Sequence, residues 1–294
     1  MTSNAQRLGV DREQGFEIFR LDNDRVGVAV VPELGARIIS VRDVQTAREW
    51  LWHPPGALKL FRNQPGDDFA SSPLAGIDEC FPTIAPCRWQ GRDLPDHGQL
   101  WSAAWGVDGE AWRGGTLRTQ CRAGCPPFFF ERSVALAGNE IRLGYRLQNL
   151  NTSDESFLWA IHPLLHIREG DHLELPAGTR ALFNGHPWID HVSSAIPEGQ
   201  CAKIFASPIT EGRARVVNHR DGGWLELAWD AAQNNCLGVW LNRGGWHGHH
   251  HLALEPTNAC ADDLSEAAKR GRCGIIPAGG SISWSLCLRV GNTS

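Results

Sequence analysis

The chain has 294 residues, 42% of them hydrophobic, enough for a sizeable core and within the range of one large all-β domain. Its formal net charge is −5 and it has no Lys/Arg cluster, which excludes the concentrated basic surface that a nucleic-acid partner requires. No apolar run approaches the ~20 residues that span a bilayer. Residues 1–7 lack the basic and apolar blocks of a signal peptide, so a cytoplasmic protein with no membrane partner is expected.

Residues 1–14 are polar and expected to be loosely held. Phe16–Leu21 and Val26–Val31 flank the turn signal Asp22-Asn23-Asp24 and read as a hairpin stopped by Pro32. Gly35–Arg42 reads as a third strand and Glu49–Trp52 as the start of a fourth. Short strands with turns about every 8–12 residues predict an all-β, antiparallel β-sandwich. Residues 53–110 are rich in Pro, Gly and Asp and lack periodicity; an irregular stretch this long in a compact domain is expected to be functional. Phe128–Leu136 leads through the turn Gly138-Asn139 into the clearest period-two segment, where Ile141, Leu143, Tyr145 and Leu147 alternate with Arg142, Gly144, Arg146 and Gln148.

Phe157–Ile161 reads as a buried strand that delivers His162 at its exit, before Pro163. Residues 168–222 are turn-rich and give no clear pattern of elements. Trp224–Trp229 and Cys236–Leu241 read as strands, 244–251 as a loop, and Leu252–Pro256 as a short strand ending in an acid, Glu255. Asp262–Gly271 is the best helix candidate, with acids first, bases last and a closing glycine. Ser281–Val290 is the last strand, and the absence of repeats or linkers favours one domain over 1–294.

The nine cysteines are odd in number and scattered. Cys121 and Cys125 form a lone CxxxC, weak as a zinc signal, and the cysteines read as reduced, mostly buried thiols. Thirteen tryptophans against one tyrosine, Tyr145, supply core as well as flat surface for a concave site.

The densest chemistry lies in Ile77–Ile84 and Leu94–Trp101, which hold Asp78, Glu79, Asp96 and His97 beside Trp101. Gly76, Pro82, Gly91, Pro95 and Gly98 punctuate the stretch and argue against a helix. Acids and a base on a constrained loop suit a site that grips a polar, ring-shaped ligand. The plainer alternative is a solvated loop in which Asp96 caps a turn. His97, His162 and Glu255 can each move a proton near neutral pH, and each has a structural alternative as turn residue, strand cap or surface acid. His247-Gly248-His249-His250-His251 offers four imidazoles to a metal, but an extended segment sends neighbouring side chains to opposite sides, so a metal-free loop is expected. No Gly-rich phosphate loop, GxSxG elbow or HExxH occurs.

Several segments together resemble the aldose 1-epimerase (galactose mutarotase-like) family. They are Pro32-Glu33-Leu34-Gly35-Ala36-Arg37-Ile38 with Arg48–Trp52, Asp78–Ile84 with Leu94–Gly98, Trp159–Pro163, Leu254–Thr257 and Pro277–Ser281, in the family's order over nearly the whole chain. The resemblance implies stacked, twisted antiparallel sheets with a sugar in an open cleft. It implies Glu255 as the general base on the anomeric hydroxyl, His162 as the general acid on the ring oxygen, and His97 as a stabiliser of developing charge. Ring opening and reclosure involve no redox change, so no cofactor is expected. The expected substrate-binding set is Asp78, Glu79, Asp96, Arg62, Trp240 and Asn242, with Trp246 in the cleft wall. The family's sugar-gripping aspartate has no clear counterpart, Asp221 and Asp230 fitting poorly. Arg62-Asn63 reverses the family's Asn-Arg pair, and Arg62, Arg88 and Arg243 are candidates to meet a phosphate or sulfonate on a modified sugar, the plainer alternative being solvated surface arginines. A non-catalytic carbohydrate-binding protein is the alternative function.

Overall fold

The period-two pattern of Glu140–Asn149 places Ile141, Leu143, Tyr145 and Leu147 in the core and turns Arg142 and Arg146 to solvent. This strand pairs antiparallel with Pro127–Ala137 on one side and Ser281–Asn292 on the other. The computed structural model describes residues 6–72, 75–124, 126–181, 196–207 and 209–293. Among these, one sheet has eight strands, running from Asp171–Glu174 through Arg213–Asn218, Gly223–Trp229, Ser281–Asn292, Glu140–Asn149, Pro127–Ala137 and Leu117–Gly124 to Gly106–Val107.

The other sheet has eleven. It runs from Arg7–Glu13 through Phe16–Asp22, Val26–Val31, Arg37–Asp43, Ile77–Cys80, Ala160–His166, His250–Thr257, Cys236–Arg243 and Gln200–Ser207 to Arg180–Ala181, with Arg48–Glu49 beside Arg37–Asp43. The two sheets share one apolar core. Val28, Ile38 and Leu254 come from the larger sheet and Leu143, Leu227 and Leu286 from the smaller. Each such side chain stabilises the fold by roughly 1.5–3 kcal/mol on full burial. The architecture is the all-β sandwich that the strand spacing predicts.

One charged group bridges the sheets. Glu79, from the larger sheet, accepts hydrogen bonds from Arg132 Nη1 (2.9 Å), Tyr145 Oη (3.0 Å) and Trp159 Nε1 (2.8 Å). Glu79 and Arg132 are both fully buried, and Arg132 also donates to the Ala36 carbonyl. Every Glu79 lone pair used here faces the protein, so this carboxylate fastens the sandwich.

Four expectations are corrected. Arg7–Glu13 is an ordered edge strand paired along its length with Phe16–Asp22; its composition is polar because its side chains stay exposed. The apolar run 157–161 is split. Glu155–Phe157 pairs with Gly274–Ile276 in a small separate sheet, and the large-sheet strand begins at Ala160. His162 therefore lies inside a strand rather than at its exit. Cys236 and Cys260 form a disulfide: the chain turns back after Thr257, the partner of Cys236, and brings the two Cα atoms to 5.6 Å. Residues 168–222 contain true strands whose turn residues masked them. Cys125, half of the CxxxC pair, lies outside the described residues.

The expected helix forms as Leu264–Lys269, with Asp263 as N-cap accepting from Glu266 N at 2.9 Å. No helix among the described residues is long and apolar enough to cross a membrane.

Candidate active site

Three neighbouring strands of the large sheet bring the acid–base groups together. Ala160–His166 lies between Ile77–Cys80 and His250–Thr257. The pairs Ala160–Thr257 and Leu164–Ala253 set a register that places His162 level with Glu255. Alternation then puts both side chains on the sheet face turned away from the sandwich core. Gly238 stands opposite Glu255 on the next strand; a Cβ there would lie 3.1 Å from Glu255 Oε2, so the absence of a side chain makes room for the carboxylate.

Glu255 is fully buried. Its Oε2 lies 2.6 Å from Lys203 Nζ, and its Oε1 lies 3.5 Å from His162 Nε2. Lys203 Nζ also lies 2.8 Å from Asp262 Oδ1. Burial lifts the Glu255 carboxyl above the usual range, and Lys203 offsets part of that rise. Burial, reinforced by nearby positive charge, pushes His162 well below the usual range, so its imidazole is neutral at pH 7.

His97 arrives from a loop. It occupies the left-handed region (φ +54°) and is followed by Gly98 (φ +69°), where a Cβ would overlap the Phe81 carbonyl. His97 N donates to Ile84 O at 2.7 Å and Gln99 N to Phe81 O at 2.7 Å, which fixes the turn. The His97 ring stacks on Phe69 with centroids 3.8 Å apart, and its Nδ1 lies 2.8 Å from Asp96 Oδ1. Asp96 Oδ2 accepts from Phe69 N at 2.9 Å, so one carboxylate orients both rings. Burial raises the Asp96 carboxyl, but the hydrogen bond and charge of His97 outweigh it and hold Asp96 below the usual range. The His97 and His162 rings stand nearly perpendicular, 5.0 Å apart.

A cleft of about 310 Å³ has Phe69, Trp240 and Trp246 as apolar wall and His97, His162, Asp96, Lys203 and Asp262 as polar lining; Glu255, fully buried, is not itself in the lining and meets it through His162 and Lys203. Among the buried side-chain atoms without a hydrogen-bond partner are His97 Nε2, His162 Nδ1 and Glu255 Oε1. Two imidazoles and a carboxylate thus each keep a nitrogen or oxygen without a hydrogen-bond partner, and all three are side chains able to move a proton near neutral pH. A larger cleft of about 450 Å³ beside Asn258, Arg272 and Trp284 has no His, Asp or Glu in its lining.

The remaining expected residues divide. Asp96 and Trp240 do border the cleft. Asp78 shares the strand beside His162 but is buried against Arg37 Nε at 2.8 Å. Glu79 points to the other side of the sheet, into the core. Arg62 pairs with Glu33 at the surface, Arg88 lies near Asp93, and Arg243 pairs with Glu198. Asn242 is fully buried beneath the wall. Its amide donates to Trp246 O (2.9 Å) and accepts from Trp246 N (3.0 Å), so it braces the indole.

Asp221 pairs with Arg48 and Arg168, and Asp230 caps Ala232 N, both away from the cleft. In the histidine loop His250 meets Glu198 and His251 is buried beside Asn242, while the rings of His247, His249 and His251 gather around Trp246, with centroids 6.2 Å apart for His247–His249 and 6.5 Å for His249–His251. Sequence reasoning missed Phe69, Lys203 and Asp262. The one available signal was Lys203 itself, a lone charge inside the apolar run Ala202-Lys203-Ile204-Phe205.

No family model and no curated protein matches the sequence. Solved structures do match over most of their length. A galactose mutarotase-like protein from Clostridium acetobutylicum is 11% identical, with a TM-score of 0.75 and coverage of 98% of this chain and 99% of the other. A provisionally assigned aldose 1-epimerase from Klebsiella pneumoniae is 15% identical, with a TM-score of 0.75 and coverage of 97% and 83%. A galactose mutarotase related enzyme from Lactobacillus acidophilus is 14% identical, with a TM-score of 0.71 and coverage of 94% and 98%. At such identities the likeness is one of architecture, and the architecture is plain: this chain has the galactose mutarotase-like fold.

Proposed function

We propose that the protein is a cofactor-independent mutarotase that interconverts the α and β anomers of a neutral pyranose. The observation that carries this reading is the free Oε1 of Glu255 level with His162, with His97 across the cleft. Glu255 removes the proton from the anomeric hydroxyl. The C1–O5 bond breaks, C1 becomes an aldehyde, and O5 takes a proton from a histidine. Rotation about C1–C2 and the reverse transfers close the ring on its other face.

Asp96 points to His97 as the proton donor. Nδ1–H held on the Asp96 carboxylate aims Nε2 outwards, and an imidazolium there keeps a carboxylate beside it. His162, kept neutral by burial, then serves as the hydrogen-bonding partner of the same oxygen. The roles that the family resemblance implies for the two histidines are thus exchanged. The check is the rate of the two variants under the same conditions: His97→Asn is expected to lower kcat more than His162→Asn. The opposite pattern returns the donor role to His162.

Neutrality of the substrate follows from charge. Lys203 is the one lysine or arginine among the described residues lining the cleft, and it already serves Glu255 and Asp262, while Asp68 and Asp96 add negative charge. Saturation-transfer NMR on free glucose and galactose and their 6-phosphates, against a buffer blank, tests both parts. Exchange of a neutral aldose is expected to accelerate, with its 6-phosphate slower by about tenfold or more, roughly 1.4 kcal/mol of repulsion. Binding by calorimetry without any acceleration would replace the reading with that of a carbohydrate-binding protein.

A further inference from the structure

We propose that Lys203, anchored by Asp262, is the positioning residue that presents Glu255 as a base with one oxygen free and ties that base to the His97 loop. The inference rests on the reading of Glu255 as general base. Two contacts define it: 2.6 Å from Lys203 Nζ to Glu255 Oε2 and 2.8 Å to Asp262 Oδ1. The ammonium occupies one carboxylate oxygen only, so the side chain is held in place while Oε1 is left for a ligand.

Asp262 extends the arrangement through its backbone. Its carbonyl accepts from Ile84 N at 3.0 Å and Ala85 N at 2.6 Å, and the Ile84 carbonyl accepts from His97 N at 2.7 Å. A continuous chain of short polar contacts therefore runs from the base to the loop histidine on the other wall. Loosening Lys203 moves both.

The electrostatics have a definite sign. The groups facing Glu255 are Lys203 from Gln200–Ser207, His162 from Ala160–His166, Cys80 from Ile77–Cys80, Asp262 beyond the strand's end, and His97 from the loop. Cys80 is a neutral thiol, its ionisation opposed by burial. Burial and Asp262 favour the protonated carboxyl, whereas Lys203 and His97 favour the carboxylate. Lys203 itself keeps its proton: burial opposes the charge, but Glu255 and Asp262 outweigh burial. It is therefore unavailable as a free amine to condense with the aldehyde of the opened sugar.

The test is a ¹³C NMR titration of the glutamate carboxyl carbons, with the Glu255 resonance assigned by its loss in Glu255→Gln. In Lys203→Met the midpoint is expected to rise by about one pH unit or more, as for a carboxylate that loses a neighbouring cation. In Asp262→Asn it falls, and in Lys203→Arg it stays near the wild-type value. General loosening of the site would move Lys203→Met and Asp262→Asn in the same direction, so opposite signs are diagnostic. Unchanged midpoints, or shifts of one sign, overturn the proposal. If Lys203→Met does not fold, Asp262→Asn decides alone: a fall supports the proposal and no shift overturns it. The titration needs no substrate and so is separable from the activity. If the midpoint moves but the acid limb of kcat/KM for the responding aldose does not follow, the proposed role of Glu255 as base fails while the electrostatic coupling stands.

Discussion

Glu255→Gln is expected to slow anomer exchange by about 10²–10⁴-fold, the usual contribution of one positioned acid–base group. Glutamine keeps the shape and an acceptor oxygen for Lys203, and Lys203 keeps Asp262, so the substitution strands no charge. Sugar affinity should change little, because the proton transfer is made only in the transition state. The pH dependence has a fixed direction. The Glu255 carboxyl is raised by burial, so the wild-type rate falls on acidification at a higher pH than an ordinary glutamate would dictate, and the residual rate of Glu255→Gln lacks that limb. Saturation transfer measures both; an undiminished rate in the folded variant removes Glu255 from the mechanism.

The strand plan was legible because alternation is a local signal. Glu140–Asn149 and Gly223–Trp229 alternate in sequence and alternate in burial. The glycines and prolines around His97 were legible for the same reason, since a left-handed turn leaves its mark on composition. What a sequence does not display is the far end of an ion pair. Asp78 and Glu79 are adjacent and chemically alike, yet a strand sends them to opposite faces, one to Arg37 and the other to Arg132, more than forty residues away in either case. Lys203 is fifty-two residues from Glu255, and only register places it two strands away from that carboxylate. Arg7–Glu13 was missed because an edge strand with both faces wet has no apolar period to detect. The order of short motifs named His97, His162 and Glu255 through a family likeness, with Asp96 among the expected binding residues; only geometry added Phe69, Lys203 and Asp262 as their neighbours.

The largest effect on stability is expected at a residue the cleft never touches. Arg132→Met removes the cation beside Glu79 and leaves a fully buried carboxyl with only Tyr145 and Trp159 as donors. Breaking a buried pair from one side costs about 3–5 kcal/mol. That cost depends on pH. Burial already raises the Glu79 carboxyl and Arg132 counters it, so without Arg132 the group takes up a proton in the folded state. A carboxyl raised on folding stabilises the fold below its unfolded value, about 4.3, and loses that contribution as pH rises through its folded value. The gap between Arg132→Met and wild type in urea unfolding should therefore widen from pH 5 to pH 8. Adding Glu79→Gln should recover part of the loss at pH 8, because a neutral amide keeps the Tyr145 and Trp159 partners without a buried charge. A loss under about 1 kcal/mol, equal at both pH values, would mean that the pair is worth no more than a surface ion pair and that apolar packing alone joins the two sheets there.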